Sequence, residues 1–445
     1  MEYLILLAVL LLLGLISTRI TRLLRLPNVT GYLVIGLLAA VLCIILDEVG
    51  YDSPFYDDTL TEALNTMNGF ISTIALGFIA LSIGEEFKLN KLKQYGKKTV
   101  IITLFQALLA AVLVDVALII VCLSLNLNLS IAICLGAVAT ATAPAATIMV
   151  INQYKAKGPL VDILLPVVAF DDAIGLIVYA ISVSISKVIV TGNSVSLISV
   201  GLVPMINIVG SIALGFILGL LMHWMMKFFK SRNNHMIVII AFTLLGVTIC
   251  EVINYFTIFG ENLELSSLLC CMMIGAVYVN FSNDDTRPII TRDIELMERW
   301  TPFLFTLFFV LSGCHLATSA FNIFKSSSSI KELLPVMLIF ITYIVLRSLG
   351  KYFGAFAGCK ITKQSDSITK YLGLTLLPQA GVAIGMANQI SKIEEFSVGN
   401  IGNIIVTVVL CATLIYELVG PLITKHALYK AGEIQEESDI LLKNA

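Results

Sequence analysis

From residue 2 to residue 424 the chain is a succession of long apolar runs, and this decides most of what it can fold into. At about 20 residues, such a run crosses the ~30 Å hydrocarbon core of a bilayer as a helix. Lipid offers no hydrogen bonds, so a spanning segment must satisfy its own backbone. Runs of this length do so as helices rather than as the ~10-residue strands of a barrel. Hydropathy and helix breakers place thirteen spans at 2–24, 29–46, 66–86, 99–124, 130–151, 159–187, 198–228, 236–257, 263–281, 302–318, 333–358, 370–390 and 398–424. Only 13% of residues are charged and 58% are hydrophobic, whereas a soluble domain carries roughly 25% charged residues. The reading is an all-α polytopic membrane protein. A soluble enzyme is excluded, and a net charge of −2 offers no basic footprint for nucleic acid.

The first run has no basic flank before it and no small-residue cleavage site, and its arginines follow it, so it reads as a retained helix. The nine cysteines fall almost entirely inside apolar runs, without zinc or disulfide spacing, and read as small buried hydrophobes. No cofactor is expected. After the last span only a short charged tail, 431–445, remains.

Loop charge sets the orientation. With the N-terminus outside, the cytoplasmic ends and loops collect Arg19, Arg22 and Arg25, then the lysines at 88–98, Lys155 and Lys157, and Lys227, Lys230 and Arg232. Arg287, Arg292, Arg299, Lys360, Lys363, Lys370, Lys425, Lys430 and Lys443 complete a set of 22, against four outside: Lys187, Lys325, Lys331 and Lys392. The split obeys the positive-inside rule at every alternation and puts the C-terminus in the cytoplasm of a cell (plasma) membrane protein. Of the 28 basic residues, two remain, Arg347 and Lys351, both inside span 11 and four residues apart, hence on one helical face.

Thirteen spans divide as six, one and six, so a single linker helix gives the second six-helix repeat inverted topology, an arrangement of secondary transporters. Internal echoes support the division. Phe78-Ile79-Ala80-Leu81-Ser82 resembles Phe308-Phe309-Val310-Leu311-Ser312, and Pro144-Ala145-Ala146 has a counterpart in Pro378-Gln379-Ala380.

The costliest residues are Asp171 and Asp172, adjacent and about fifteen residues from both Lys157 and Lys187, or roughly 22 Å of helix from either end. Charged groups at that depth are functional-site candidates. Neighbours on a helix diverge by about 100°, so the two carboxylates face different surroundings. Lys351 lies nine residues from Lys360, about 13 Å below the cytoplasmic interface. An Asp171–Lys351 pair is the economical assignment, with Asp172 left as the exchanging, Na⁺-binding carboxylate. Arg347, which cannot be deprotonated, reads as structural and paired with an acid such as Glu417. Span 5 is broken by Thr140-Ala141-Thr142-Ala143-Pro144, where hydroxyl and freed carbonyl oxygens suit Na⁺ or Li⁺, and span 12 by Pro378 and Gln379 among glycines. Glu85 and Glu86 read as a solvated helix terminus. His223, His235 and His426 read as solvated helix ends, and His315 lies at the outer end of span 10. An intramembrane aspartyl protease needs two acids about 3 Å apart sharing a proton, which neighbours on one helix do not provide.

These segments resemble the monovalent cation:proton antiporter superfamily, in its aspartate-pair branch, over nearly the whole chain. The resemblance is carried by Leu26-Pro27-Asn28-Val29-Thr30-Gly31-Tyr32-Leu33, Ser82-Ile83-Gly84-Glu85-Glu86-Phe87, Thr142-Ala143-Pro144, Phe170-Asp171-Asp172, Gly350-Lys351-Tyr352-Phe353-Gly354 and Leu377-Pro378-Gln379-Ala380-Gly381. Two departures stand out: Ala143 replaces a residue that is often polar or acidic, and Gln379-Ala380 replaces an Arg-Gly-Glu type of sequence. The resemblance implies a dimerisation domain (1–87 and 232–330), a moving core domain (88–196 and 331–430) and a linker helix (197–231). It also implies homodimers in membrane lipid and alternating access. The expected function is electrogenic exchange of Na⁺ or Li⁺ for H⁺. A K⁺/H⁺ exchanger shares every feature, and a sodium-coupled organic-solute symporter is the more distant alternative.

Overall fold

A computed structural model describes residues 2–24, 28–48, 58–87, 89–143, 147–148, 150–151, 154–191, 202–229, 231–254, 257–258, 261–263, 265–281, 287–326 and 330–434. Pro144 and residues 435–445 of the tail lie outside the described residues, as does the side chain of Asp172.

Among the described residues fourteen α-helices follow one another: α1 Glu2–Leu24, α2 Asn28–Glu48, α3 Asp58–Glu86, α4 Leu89–Ser124, α5 Ser130–Ala139, α6 Pro159–Thr191 and α7 Val203–Met226, then α8 Arg232–Ile253, α9 Ser267–Asn280, α10 Arg287–Ser326, α11 Ile330–Ile361, α12 Asp366–Thr375, α13 Gly381–Ser391 and α14 Ile401–Lys430. A two-residue antiparallel ribbon, Thr257–Ile258 with Glu261–Asn262, lies between α8 and α9, and a 3₁₀ turn, Glu394–Asn400, precedes α14. This order is compatible with the thirteen spans. Span 5 enters as half-helix α5, and span 12 is split into half-helices α12 and α13.

Composition explains the packing. On α4, Leu104, Leu108, Val112, Val116, Ile120 and Leu123 form an exposed apolar stripe, which in a bilayer faces lipid. Its opposite face, with Ala107, Ala110, Val114 and Leu118, is buried. Lipid tails supply no hydrophobic drive between helices, so close packing of small residues does the work. On α11, Gly350, Gly354 and Gly358 lie against Ala110, Gln106 and Ile102 of α4. A Cβ at Gly350 or Gly354 would stand 2.5 Å from the Cα of Ala110 or Gln106, and one at Gly358 2.8 Å from that of Ile102. The seam therefore admits no side chain on those glycines, and it brings Lys351 beside Gln106 at the centre of the core. α4 itself turns at Gly96, whose φ of +73° only glycine adopts without strain.

Candidate functional site

The two helix interruptions meet. α5 ends at Ala139, residues 141–143 are non-helical, and α12 ends at Thr375 with 377–380 non-helical. The amide of Ala143 donates to the carbonyl of Pro378 (2.9 Å), joining one break to the other. Gln379 Nε2 donates to the Val138 carbonyl at 3.0 Å and to the Tyr343 hydroxyl at 2.9 Å. Both α5 and α12 thus present their C-terminal ends, with unsatisfied carbonyls and partial negative charge, to one spot inside the protein.

Two cations from α11 meet those ends. Arg347 donates to the carbonyls of Leu377 (2.8 Å) and Ala141 (2.7 Å), one from each break, with its guanidinium 4.4 Å above the Tyr416 ring. Lys351 donates to the carbonyl of Thr140 and, at 2.9 Å, to the hydroxyl of Thr142. It also makes a fully buried 2.7 Å ion pair with Asp171 Oδ2. Asp171 thus meets Lys351, the partner that charge bookkeeping made the economical one. The Arg347–Glu417 pairing is not: the partners of Arg347 are carbonyls released by the breaks, and Glu417 accepts from Thr30 at 3.3 Å instead.

Asp171 is held by three donors. Gln106 Nε2 reaches Oδ1, while the Thr142 hydroxyl and Lys351 reach Oδ2, all of them buried. α6 is seated on the first break by Gly175, one turn beyond Asp171, where a Cβ would stand 2.8 Å from Thr140 Oγ1. The hydroxyl of Thr140 is spent on the Ala137 carbonyl at 2.6 Å, so this residue serves the site through its backbone oxygen. Asp172 lies in the same turn of α6 as Asp171.

Sequence reasoning missed three residues. Gln106 is a neutral amide in an apolar helix and has no signature, although the glycine seam opposite it was readable. Glu85, read as solvated, is 8% exposed, because Gly84 and Gly275 bring α3 and α9 together around it. Asp115 is a further acid within α4, packed on Gly136 of α5 with Oδ1 unpartnered. Nine residues from Gln106, or about 13 Å of helix, it forms no carboxylate dyad with Asp171. His235, expected in solvent, is buried and contacts the Phe229 carbonyl at 2.8 Å, while His426 is exposed as expected.

The family model for the transmembrane sodium/hydrogen exchanger matches residues 6–428. No match is found among curated protein sequences. The fold is that of the sodium proton antiporter MjNhaP1 from Methanocaldococcus jannaschii. The structure of that protein at pH 8 superposes with a TM-score of 0.68 at 18% identity, covering 98% of this chain and 99% of the other. A second structure, the 3D EM map of MjNhaP1, gives 0.63 at 17% identity, covering 97% of this chain and 98% of the other.

Proposed function

The chain belongs to the sodium/hydrogen exchanger family, and we propose that it exchanges Na⁺ or Li⁺ for H⁺ electrogenically, through the acid pair of α6. Membership makes it an integral membrane cation/proton antiporter rather than an enzyme. The observation that carries the finer reading is the buried Asp171–Lys351 pair at the crossing of two broken helices.

With the site open to the cytoplasm, Asp172 gives up its proton and takes Na⁺, assisted by the Thr142 hydroxyl and carbonyl oxygens of the first break, that of Thr140 included. Binding of the cation draws on Asp171 as well, so its pair with Lys351 loosens and the amine releases a second proton. Cation and protons compete for the same carboxylates, which couples the fluxes without a further device. Two protons against one cation make the cycle electrogenic. Arg347 always keeps its charge and holds the two breaks together throughout. The core (88–196 and 331–430) moves against the dimerisation domain (1–87 and 232–330) of a homodimer, with 197–231 as linker. The N-terminus is outside and the C-terminus in the cytoplasm at the plasma membrane, as loop charge requires.

Everted vesicles carrying the protein test this. Addition of Na⁺ or Li⁺ dissipates an imposed pH gradient, and Asp172→Asn abolishes the response. Dissipation by K⁺ in place of Na⁺ would reassign the cation, and none with any alkali cation would end the exchange reading.

A further inference from the structure

Glu417 is the one carboxyl group of α14, and it is 1% exposed. An ionised carboxylate so buried requires a counter-charge. Its protein partner is the neutral Thr30 hydroxyl, at 3.3 Å. Toward this stretch of α14, α2 presents Thr30, the second break presents Pro378, and α11 presents Arg347, which is committed to the break carbonyls and the Tyr416 ring. Among the described residues, α5, α10, α12 and α13 bring no charged group to ion-pair distance of it.

The group is not isolated. Thr413, Glu417, Gly420 and Thr424 recur at helical spacing within about 60° of one face of α14, and all four are buried. The hydroxyls of Thr413 and Thr424, both fully buried, have no hydrogen-bond partner. Buried threonines elsewhere in the chain, such as Thr103, Thr243 and Thr362, donate back to their own helix. Buried polar groups left open in this way are where proteins hold internal water.

The stripe also touches two other elements of interest. Thr30 is the third residue of α2, at the end that loop charge assigns to the cytoplasm. Gly420, one turn from Glu417, packs on Pro378, where a Cβ would stand 2.8 Å from the proline ring. The stripe that carries Glu417 therefore connects the cytoplasmic end of α2 to the second helix break.

We propose that Glu417 is a proton-binding site on the cytoplasmic approach to the acid pair, with water held between it and the Thr413 and Thr424 hydroxyls. Resting on the exchange reading, it adds a residue that the ion site itself does not contain. The carboxyl group takes a proton from water on one side of it and returns that proton to water on the other. The proton is thus the mobile counter-charge that the protein does not supply.

Infrared difference spectra of the purified protein between high and low pH test the assignment without transport. The wild type shows a protonated-carboxyl C=O band that is missing in Glu417→Gln and returns, shifted, in Glu417→Asp. In proteoliposomes, Glu417→Gln, near-isosteric and checked for an unchanged elution profile, lowers the exchange rate several-fold and shifts its pH profile. Its half-saturating Na⁺ concentration stays as in the wild type, and Glu417→Asp restores the profile. An identical band in wild type and Glu417→Gln overturns the proposal, as does an unchanged rate and pH profile. Loss of Na⁺-driven proton movement in the wild type would sink the exchange reading instead and leave the infrared result standing.

Discussion

The two helix breaks touch one another, yet they are furnished differently. The first, 140–143, faces a carboxylate and a lysine: Thr142 and Thr140 contact Lys351, and Thr142 contacts Asp171. The second, 376–380, faces an arginine and a tyrosine, and no acid contacts it among the described residues. Both breaks expose negative helix ends and both receive Arg347, while the first also receives Lys351, one turn further along the same face of α11. The difference is that one cation can lose its proton and the other cannot. The first break is built to change its charge and the second to keep it. Position alone would have made them twins, so the chemistry lies in which residues line each break.

Substitutions that make the breaks alike should have graded effects. The largest is expected from Asp171→Ala, which leaves Lys351 buried without its acid. The cost is about 3–5 kcal/mol, read as a large fall in the Tm of the solubilised protein together with loss of exchange. Arg347→Ala comes next. It strips two charge-assisted hydrogen bonds from the break carbonyls, worth about 1.5–3 kcal/mol each, and lowers Tm strongly. Lys351→Arg is milder in stability and sharper in meaning. The pair with Asp171 is retained, but the second proton cannot leave. Exchange then continues in proteoliposomes at reduced rate and stops responding to an imposed membrane potential, and a retained voltage response would remove Lys351 from the proton count. The smallest effect is expected from Thr140→Val, since that hydroxyl serves only its own helix. A Tm within a degree or two of the wild type and unchanged Na⁺ affinity are predicted, and a large loss of affinity would show that the hydroxyl turns to the cation.

How much of this was readable in advance follows the same division. Asp171 and Lys351 were legible because a charge in an apolar run is conspicuous, and loop bookkeeping left few basic residues to meet it. The first break was legible through Pro144 and the small residues before it, and the second through Pro378 and the glycines around it. The partners of Arg347 were not, because carbonyls released by a broken helix carry no letter of their own, and the search for an acid led to Glu417. Gln106 was hidden for a similar reason: a neutral amide becomes a site residue only once Gly350, Gly354 and Gly358 draw α11 onto α4. Glu85 was misjudged because closeness to a helix end says nothing about the helix packed beside it.

The central claim is that cation and proton compete for one acid pair, and proton release on cation binding tests it without a membrane. Purified protein in weakly buffered detergent, titrated with NaCl against choline chloride, is predicted to release protons in the wild type and none in Asp172→Asn. Saturable Na⁺ binding by the wild type with no proton released would contradict the account.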